Sequence, residues 1–143
     1  MSLELRYLGV SEGFVRDGRA LNHLTGFDPA FLAFDDFPAT WPLALIVLWE
    51  ETDPKAPTLP VGTQMRIRMS LVAPNDQTVA VADAPGAVEP PPRDDIPFRA
   101  MAVYAAVITF PVPGDYTLRA TFDAAGQHLE AQRSLTVRGP ASS

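Results

Sequence analysis

The residue types that most often carry chemistry occur in this chain only at scattered positions. Its two histidines, His23 and His128, fall in stretches that predict β-strands, and neither has the aspartate and serine spacing of a catalytic triad. Ser11 lacks the flanking glycines of a nucleophile elbow, and the chain has no glycine-rich phosphate-binding loop. These patterns predict a protein that is not an enzyme and that uses no cofactor.

Pairs of carboxylates are the remaining groups that could bind a ligand. A Ca²⁺ ion takes about six to eight oxygen ligands, and the loops of a β-sandwich can gather paired aspartates at one end. The candidate metal ligands are the pairs that flank predicted crossover loops: Asp35, Asp36, Asp94 and Asp95. Because the chain lacks the Asp-x-Asp-x-Asp spacing of a dedicated calcium loop, solvated loop carboxylates are the simpler interpretation.

The net charge restricts the kinds of partner that we expect. At a formal charge of −6, the chain would be repelled by nucleic acid and by anionic membrane surfaces. We therefore expect no nucleic-acid partner, and the charge disfavours a membrane partner. A protein partner, or a homo-oligomer of this chain, is the expectation that remains.

Cysteine content and length restrict the compartment and the domain count. The chain has no cysteine, which excludes disulfide bonds, thiol catalysis and cysteine-ligated zinc. Neither a signal peptide nor an apolar run of about 18 residues is visible, so we expect a cytoplasmic protein. The 143 residues suit a single domain, predicted over residues 1–138, followed by a short tail at 139–143.

Alternating side chains predict the elements that position these groups. In the last third of the chain, one parity is apolar and the other is polar; the apolar set is Tyr116, Leu118, Ala120 and Phe122. Residues 64–71 alternate in the same way, and turn signals recur at the spacing of a sandwich. The pattern predicts an all-β, immunoglobulin-like antiparallel sandwich of about seven to nine strands.

The return strand of the closing hairpin contains one anomaly. Its apolar parity consists of Leu129, Ala131, Leu135 and Val137, and Arg133 interrupts that set. Two interpretations are favoured: a β-bulge that shifts the register, or a strand end where the guanidinium extends into solvent. A functional buried arginine is the third alternative, and it is disfavoured because buried charges are rare.

Two segments between the strands are candidates to cover them. Asp28-Pro29 resembles a helix N-cap followed by proline at the first helical position, which predicts one short helix near residues 29–35. We expect this aromatic crossover, residues 28–42, to lie over an end or an edge of the sandwich. Residues 83–99 contain five prolines, which favours an extended polyproline strap.

Two predicted strands, 43–49 and 101–110, are apolar at both parities. A two-layer sandwich covers only one face of each strand, so the other face needs a cover. The cover is either the crossover and the strap, or another protein. The candidate interface residues are Phe31, Phe34, Phe37, Trp41, Leu45, Val47, Trp49, Val103 and Tyr104.

Two motifs connect the chain to a known family. The first is Phe-Pro-Ala…Trp-Pro-Leu-Ala-Leu at Phe37–Leu45, and the second is Phe-Pro…Pro-Gly-Asp-Tyr-Thr-Leu…Asp at Phe110–Asp123. Together with the N-terminal strand and its glycine hairpin, they resemble a family of small bacterial β-sandwich proteins of unknown function. The resemblance covers most of the chain and rests on turns and core positions, so it implies a fold and no catalytic residue.

The function that we predict is a non-catalytic protein-interaction or assembly module, which associates with itself or docks on a protein partner. The alternative is a calcium-dependent membrane- or ligand-binding sandwich similar to a C2 domain.

Overall fold

The computed structural model describes residues 3–17, 20–27, 29, 31–52, 59–90 and 98–140, with the backbone alone for 13–17 and 20–27. In this part of the chain the regular structure consists of β-strands, and no helix occurs. The strands are β1 (Leu3–Asp17), β2 (Ala20–Phe27), β3 (Leu32–Ala33), β4 (Ala39–Glu51), β5 (Gln64–Val72), β6 (Thr78–Ala87), β7 (Arg99–Phe110), β8 (Gly114–Ala124) and β9 (Gln127–Arg138).

The strands form two sheets. The four-stranded sheet has the order β2-β1-β4-β7, and the five-stranded sheet has the order β3-β9-β8-β5-β6. Every pairing is antiparallel except that of β3 with β9, which is parallel. The prediction of an all-β sandwich is confirmed at this level, because the apolar faces of the two sheets share one core.

The core forms because the apolar parity of each strand points to the opposite sheet. Along β8, Tyr116, Leu118, Ala120 and Phe122 are buried, while the odd-numbered residues between them are more exposed. The four-stranded sheet contributes alternate residues of β4 from Leu43 to Trp49 and even-numbered residues of β7. Trp49 packs against Phe122 with ring centroids 5.8 Å apart, which joins the two layers near one end.

The closing hairpin follows its turn chemistry. Ala125 and Gly126 both have positive φ angles, 48° and 78°, as a two-residue type I′ connection requires. The register of β8 with β9 is continuous from Gly114↔Val137 to Ala124↔Gln127. No β-bulge therefore occurs at Arg133, and the strand does not end there.

Arg133 instead links the two sheets. It stands opposite Leu118 on the inward-facing row of β9, at the open side of the sandwich. Its Nη1 atom donates a hydrogen bond to the carbonyl oxygen of Leu8 on β1 at 3.0 Å. The aliphatic stem thus lies beside the core while the charge reaches a strand edge and solvent.

The predicted short helix at residues 29–35 is not present, and this prediction was wrong. Leu32 and Ala33 form β3, which adds to β9, and the Phe34 amide donates to the Arg138 carbonyl at 3.0 Å. An isolated helical turn fixes several residues for one hydrogen bond, whereas the edge of β9 offers partners that already exist. The tertiary ladder therefore prevails over the local N-cap signal.

The first part of the predicted strap is a β-strand. Residues 83–87 belong to β6, which pairs with β5 up to Gln64↔Ala87. Pro85 fits there because β6 is the last strand of its sheet, where one side of the backbone needs no ladder donor. Residues 88–90 continue beyond β6, with the Val88 amide donating to the Thr63 carbonyl at 2.9 Å, and residues 91–97 lie outside the described residues.

One hydrogen bond fixes the corner between β7 and β8. The Tyr116 hydroxyl donates a hydrogen bond to the carbonyl oxygen of Val112, four residues earlier, at 2.6 Å. The ring is fully buried and meets Phe110 edge-on, with centroids 5.4 Å apart. Burial also raises the pKa of the Tyr116 phenol.

Candidate interaction surface

The outward face of the five-stranded sheet is polar. Registers across the sheet align Arg68 with Asp83 and Thr121, and the neighbouring rows carry further charged residues. Arg66 and Arg68 both approach Asp83, with nitrogen–oxygen distances of 3.1 and 3.8 Å. This face has balanced, solvated charges and carries no sign of a buried contact.

The outward face of the four-stranded sheet is apolar. Strand registers place Gly9, Ile46 and Val103 in one row. The two neighbouring rows are Ser11–Ala44–Ala105 and Tyr7–Leu48–Met101. The outward faces of the two sheets therefore differ in composition, one being polar and the other apolar.

Exposure on this apolar face rises from the centre of the sheet to its β7 side. Ala44 and Ile46 are 2% and 3% exposed, so atoms of the same chain cover the centre of β4 on both faces. On β7, Met101 and Val103 are half-buried, Ala105 is exposed, and Val107 is 70% exposed. The predicted second cover thus exists for β4 and is incomplete for β7.

Strand β7 is also the last strand of its sheet. Among the described residues it forms a ladder with β4 alone, from Ala39↔Phe110 to Glu50↔Arg99. No strand of the described ranges pairs with its other edge. We call this edge, together with the outward side chains of Met101, Val103, Ala105 and Val107, the β7 surface.

The other strand edges carry features that oppose further pairing. β6 has Pro85 and the charged Asp83. Side chains occupy the edge of β1. Tyr7 donates a hydrogen bond to the Val10 carbonyl at 3.4 Å, and Arg133 donates one to the Leu8 carbonyl. Between Met101 and Phe110, by contrast, β7 contains neither a charge nor a proline.

The aromatic residues of the crossover meet at one end of the core. The Phe34 ring lies 5.5 Å from Phe110 and 6.1 Å from both Phe37 and Trp41, measured between centroids. Trp41 remains 40% exposed, and Phe31, also 40% exposed, carries the Arg138 guanidinium 3.9 Å above its ring. The crossover thus closes the end of the sandwich and leaves the outward side of β7 open.

The other predicted interface residues divide between core and surface. Leu45, Val47 and Trp49 point between the sheets and are at most 2% exposed, so they offer no area to a partner. Val103 belongs to the β7 surface, and Tyr104 is half-buried on the inward side of the same strand. The sequence patterns missed Met101, Ala105 and Val107, because the apolar run does not reveal which strand lies at the edge.

Only two of the four candidate metal ligands lie in the part of the chain that the structure describes. Asp35 and Asp36 are exposed on the bend before β4, whereas Asp94 and Asp95 lie outside the described residues. Within the described ranges no three histidine, cysteine or acidic side chains are arranged to hold a metal ion.

His128 is the centre of a small polar cluster at the end of the closing hairpin. Its Nδ1 lies 2.5 Å from Asp123 Oδ1, and its Nε2 lies 2.9 Å from Glu130 Oε1. The hydrogen bonds to Glu130 and Asp123 raise the pKa of the imidazole. Both ring nitrogens are engaged by carboxylates, which is an ion-pair arrangement on a solvated face. For His23 only the backbone is described, opposite Val15.

A small cavity opens beside Arg133, between β1 and β9. It encloses about 80 Å³ and is lined by Gly9, Val10, Pro29, Leu118, Arg133, Ser134 and Leu135. Sites for drug-sized ligands have volumes of about 300–1,000 Å³, so this cavity suits a few water molecules. The cavity is therefore too small for a drug-sized ligand.

No helix suitable for crossing a membrane occurs in the described residues. Comparison of the sequence with protein-family models gives no match. Comparison with curated proteins also gives no match.

Proposed function

We propose that this protein is a non-catalytic interaction module that binds another protein surface through the β7 surface. The observation that carries the proposal is the contrast between the two outward faces. One is polar with paired charges, while the other is apolar and becomes exposed at an edge strand, where Val107 is 70% exposed.

The energetic argument for this surface is the free energy gained when exposed apolar side chains are removed from water. Burying a valine side chain fully is worth about 1.5–3 kcal/mol relative to leaving it exposed. Because Val107 is mostly exposed, most of this free energy would be gained only when a partner covers its side chain. Ala105 and Met101 belong to the same apolar patch. A partner that covers these side chains would gain hydrophobic stabilisation without desolvating a charge.

We further propose that the sandwich is of the immunoglobulin-like type, in line with the resemblance to small bacterial β-sandwich proteins. The Tyr116 hydroxyl donates a hydrogen bond to a backbone carbonyl four residues earlier, as in the tyrosine corner of such domains. The ladder β9-β8-β5-β6 in one sheet and β1-β4-β7 in the other agrees with an immunoglobulin-like strand order.

The test compares two substitutions at similarly exposed valines. Val107→Glu places a charge on the β7 surface, whereas Val81→Glu places one on the polar sheet, where Val81 is 62% exposed. Association is measured by light scattering at about 50 μM and by capture of partners on the immobilised chain.

We expect Val107→Glu to abolish whatever association the wild-type chain shows, and Val81→Glu to retain it. Circular dichroism checks that both variants fold. A wild-type chain that is monomeric and captures no partner would overturn the proposal, as would a Val107→Glu variant that associates like the wild type.

A further inference from the structure

We infer that the occupant of the β7 surface is a second copy of this chain, with the two β7 strands paired antiparallel about a twofold axis at Tyr104. The two four-stranded sheets then become one continuous sheet of eight strands. The inference rests on the proposed function and names its partner.

The first argument is the state of the edge. A long strand edge without charge, proline or covering side chains is a template for pairing, and natural proteins block such edges unless they use them. This chain blocks β6 with Pro85 and Asp83, and it occupies the β1 edge with Tyr7 and Arg133. From Met101 to Phe110, β7 has neither charge nor proline, and no strand among the described residues pairs with this edge.

The second argument is register. Even-numbered residues of β7 point inward, so a continuous sheet must place even residues of one copy opposite even residues of the other. Two symmetric registers satisfy this parity and pair eleven residues of β7: the one centred on Tyr104 pairs Arg99 through Thr109, and the one centred on Ala105 pairs Ala100 through Phe110. We choose the Tyr104 register because the Ala105 register would set Ala105 opposite Ala105 and Val107 opposite Val103, which does not place large side chains opposite small ones.

This register also matches large side chains with small ones. Met101 lies opposite Val107 of the second copy, and Val103 lies opposite Ala105 of the second copy. Directly opposed side chains on one face of an antiparallel pair approach to about 5 Å, so these pairs would cover the side chains that are exposed in one chain. The surface is thus complementary to itself.

The third argument is charge. Each copy carries −6, so contact between two copies is repulsive over most of the surface. The paired stretch carries no acidic residue, and its single charge, Arg99, is already bound to Glu50 at 2.7 Å. The β7 surface is therefore a place where two copies can meet without opposing carboxylates.

The size of the contact sets the expected affinity. Eleven facing residues form about ten inter-strand hydrogen bonds, which is the usual number for a protein interface. They supply only about half of the roughly 20–30 residues a side that a standard interface contains. We expect a dissociation constant in the micromolar range, so the dimer is measured at tens of micromolar.

The first experiment is light scattering across a concentration series for the wild type and two lysine variants. Val107→Lys places a charge at the pairing edge, and Val81→Lys is the matched control on the other sheet. We expect the wild type and Val81→Lys to approach the dimer mass, and Val107→Lys to remain a monomer with unchanged circular dichroism.

The second experiment tests the register by disulfide cross-linking. Because the chain has no native cysteine, only the introduced cysteines can form a disulfide. Met101→Cys and Val107→Cys are oxidised separately and as an equimolar mixture. In the Tyr104-centred register each cysteine faces the other variant and lies about 20 Å from its own symmetry mate. We expect disulfide-linked dimers in the mixture and few in either variant alone.

The outcomes separate the two proposals. A wild type that stays monomeric at about 100 μM, yet captures a different protein through Val107, would overturn the inference that a second copy binds the β7 surface. The proposed function would still hold. A dimer that survives Val107→Lys, or that fails to cross-link in the mixture, overturns the β7 pairing. A dimer sensitive to Val107→Lys with cross-links only in the mixture supports it.

Discussion

His128 shows how one residue can report on the folded state. Its ring is held between Asp123 and Glu130, and these hydrogen bonds raise the pKa of the imidazole above its ordinary value of about 6.5. The folded chain therefore binds a proton more tightly at this position than the unfolded chain does. The resulting stabilisation is complete below the unfolded pKa and is lost as the pH rises through the folded pKa.

We predict that replacing His128 with glutamine lowers the melting temperature at about pH 6 and has no effect at about pH 9. Because the cluster is solvated, the difference at acidic pH should be small but reproducible. Thermal unfolding of both proteins across this range measures it. A difference that stays constant with pH would show that protonation of His128 is not the cause.

Arg133 shows the limit of inference from single residues. An arginine at an apolar parity predicted either a bulge or a strand end, and neither is present. The side chain follows the inward row and then reaches the Leu8 carbonyl on the other sheet. Its acceptor lies 125 residues away in the sequence, so no local pattern could have indicated it.

Among the elements, β1 depends on a tight arrangement at Gly9. A Cβ atom at this position would clash with the Tyr7 hydroxyl and come within 2.8 Å of Arg133 Nη1. Those two side chains are the ones that occupy the β1 edge. The absence of a side chain at Gly9 thus permits the protection of a strand edge.

We predict that Gly9→Ala destabilises the protein by about 1–2 kcal/mol, because Tyr7 and Arg133 must both move. Gly86→Ala is the matched control, since the nearest atom, Met65 Cε, is 3.6 Å from the new Cβ. We expect Gly86→Ala to change the free energy of unfolding by less than about 0.5 kcal/mol. Urea unfolding measures both, and equal effects would contradict the steric argument.

The strands also show which sequence signals were strong. Alternation predicted β5, β8 and β9, because a strand with one wet face has a period of two in its sequence. The helix at 29–35 failed because its signal was two residues long and competed with the edge of β9. The strap was predicted too long because proline is tolerated in an edge strand such as β6.

For the whole molecule, the net charge would make the proposed dimer sensitive to salt. Two copies of charge −6 repel each other, and an uncharged contact contributes no compensating ion pairs. Raising the ionic strength from about 50 mM to about 500 mM shortens the screening length from roughly 14 Å to roughly 4 Å. Repulsion between the copies falls, while the apolar contact is unaffected.

We therefore predict that the mean mass at a fixed concentration rises with sodium chloride, from near 15.5 kDa toward twice that value. Light scattering at about 20 μM measures the change, and Val107→Lys should show no rise. A mass that falls with salt would indicate that ion pairs hold the copies together, which the β7 surface does not provide.

The sequence by itself determined the fold class and much of the strand pattern, because alternation and turn residues are local properties of the chain. It also identified 43–49 and 101–110 as apolar on both faces. Only the tertiary structure decided that β4 is central and β7 is at the edge. Strand order depends on pairings between distant residues, and it alone separates a buried apolar strand from an exposed one.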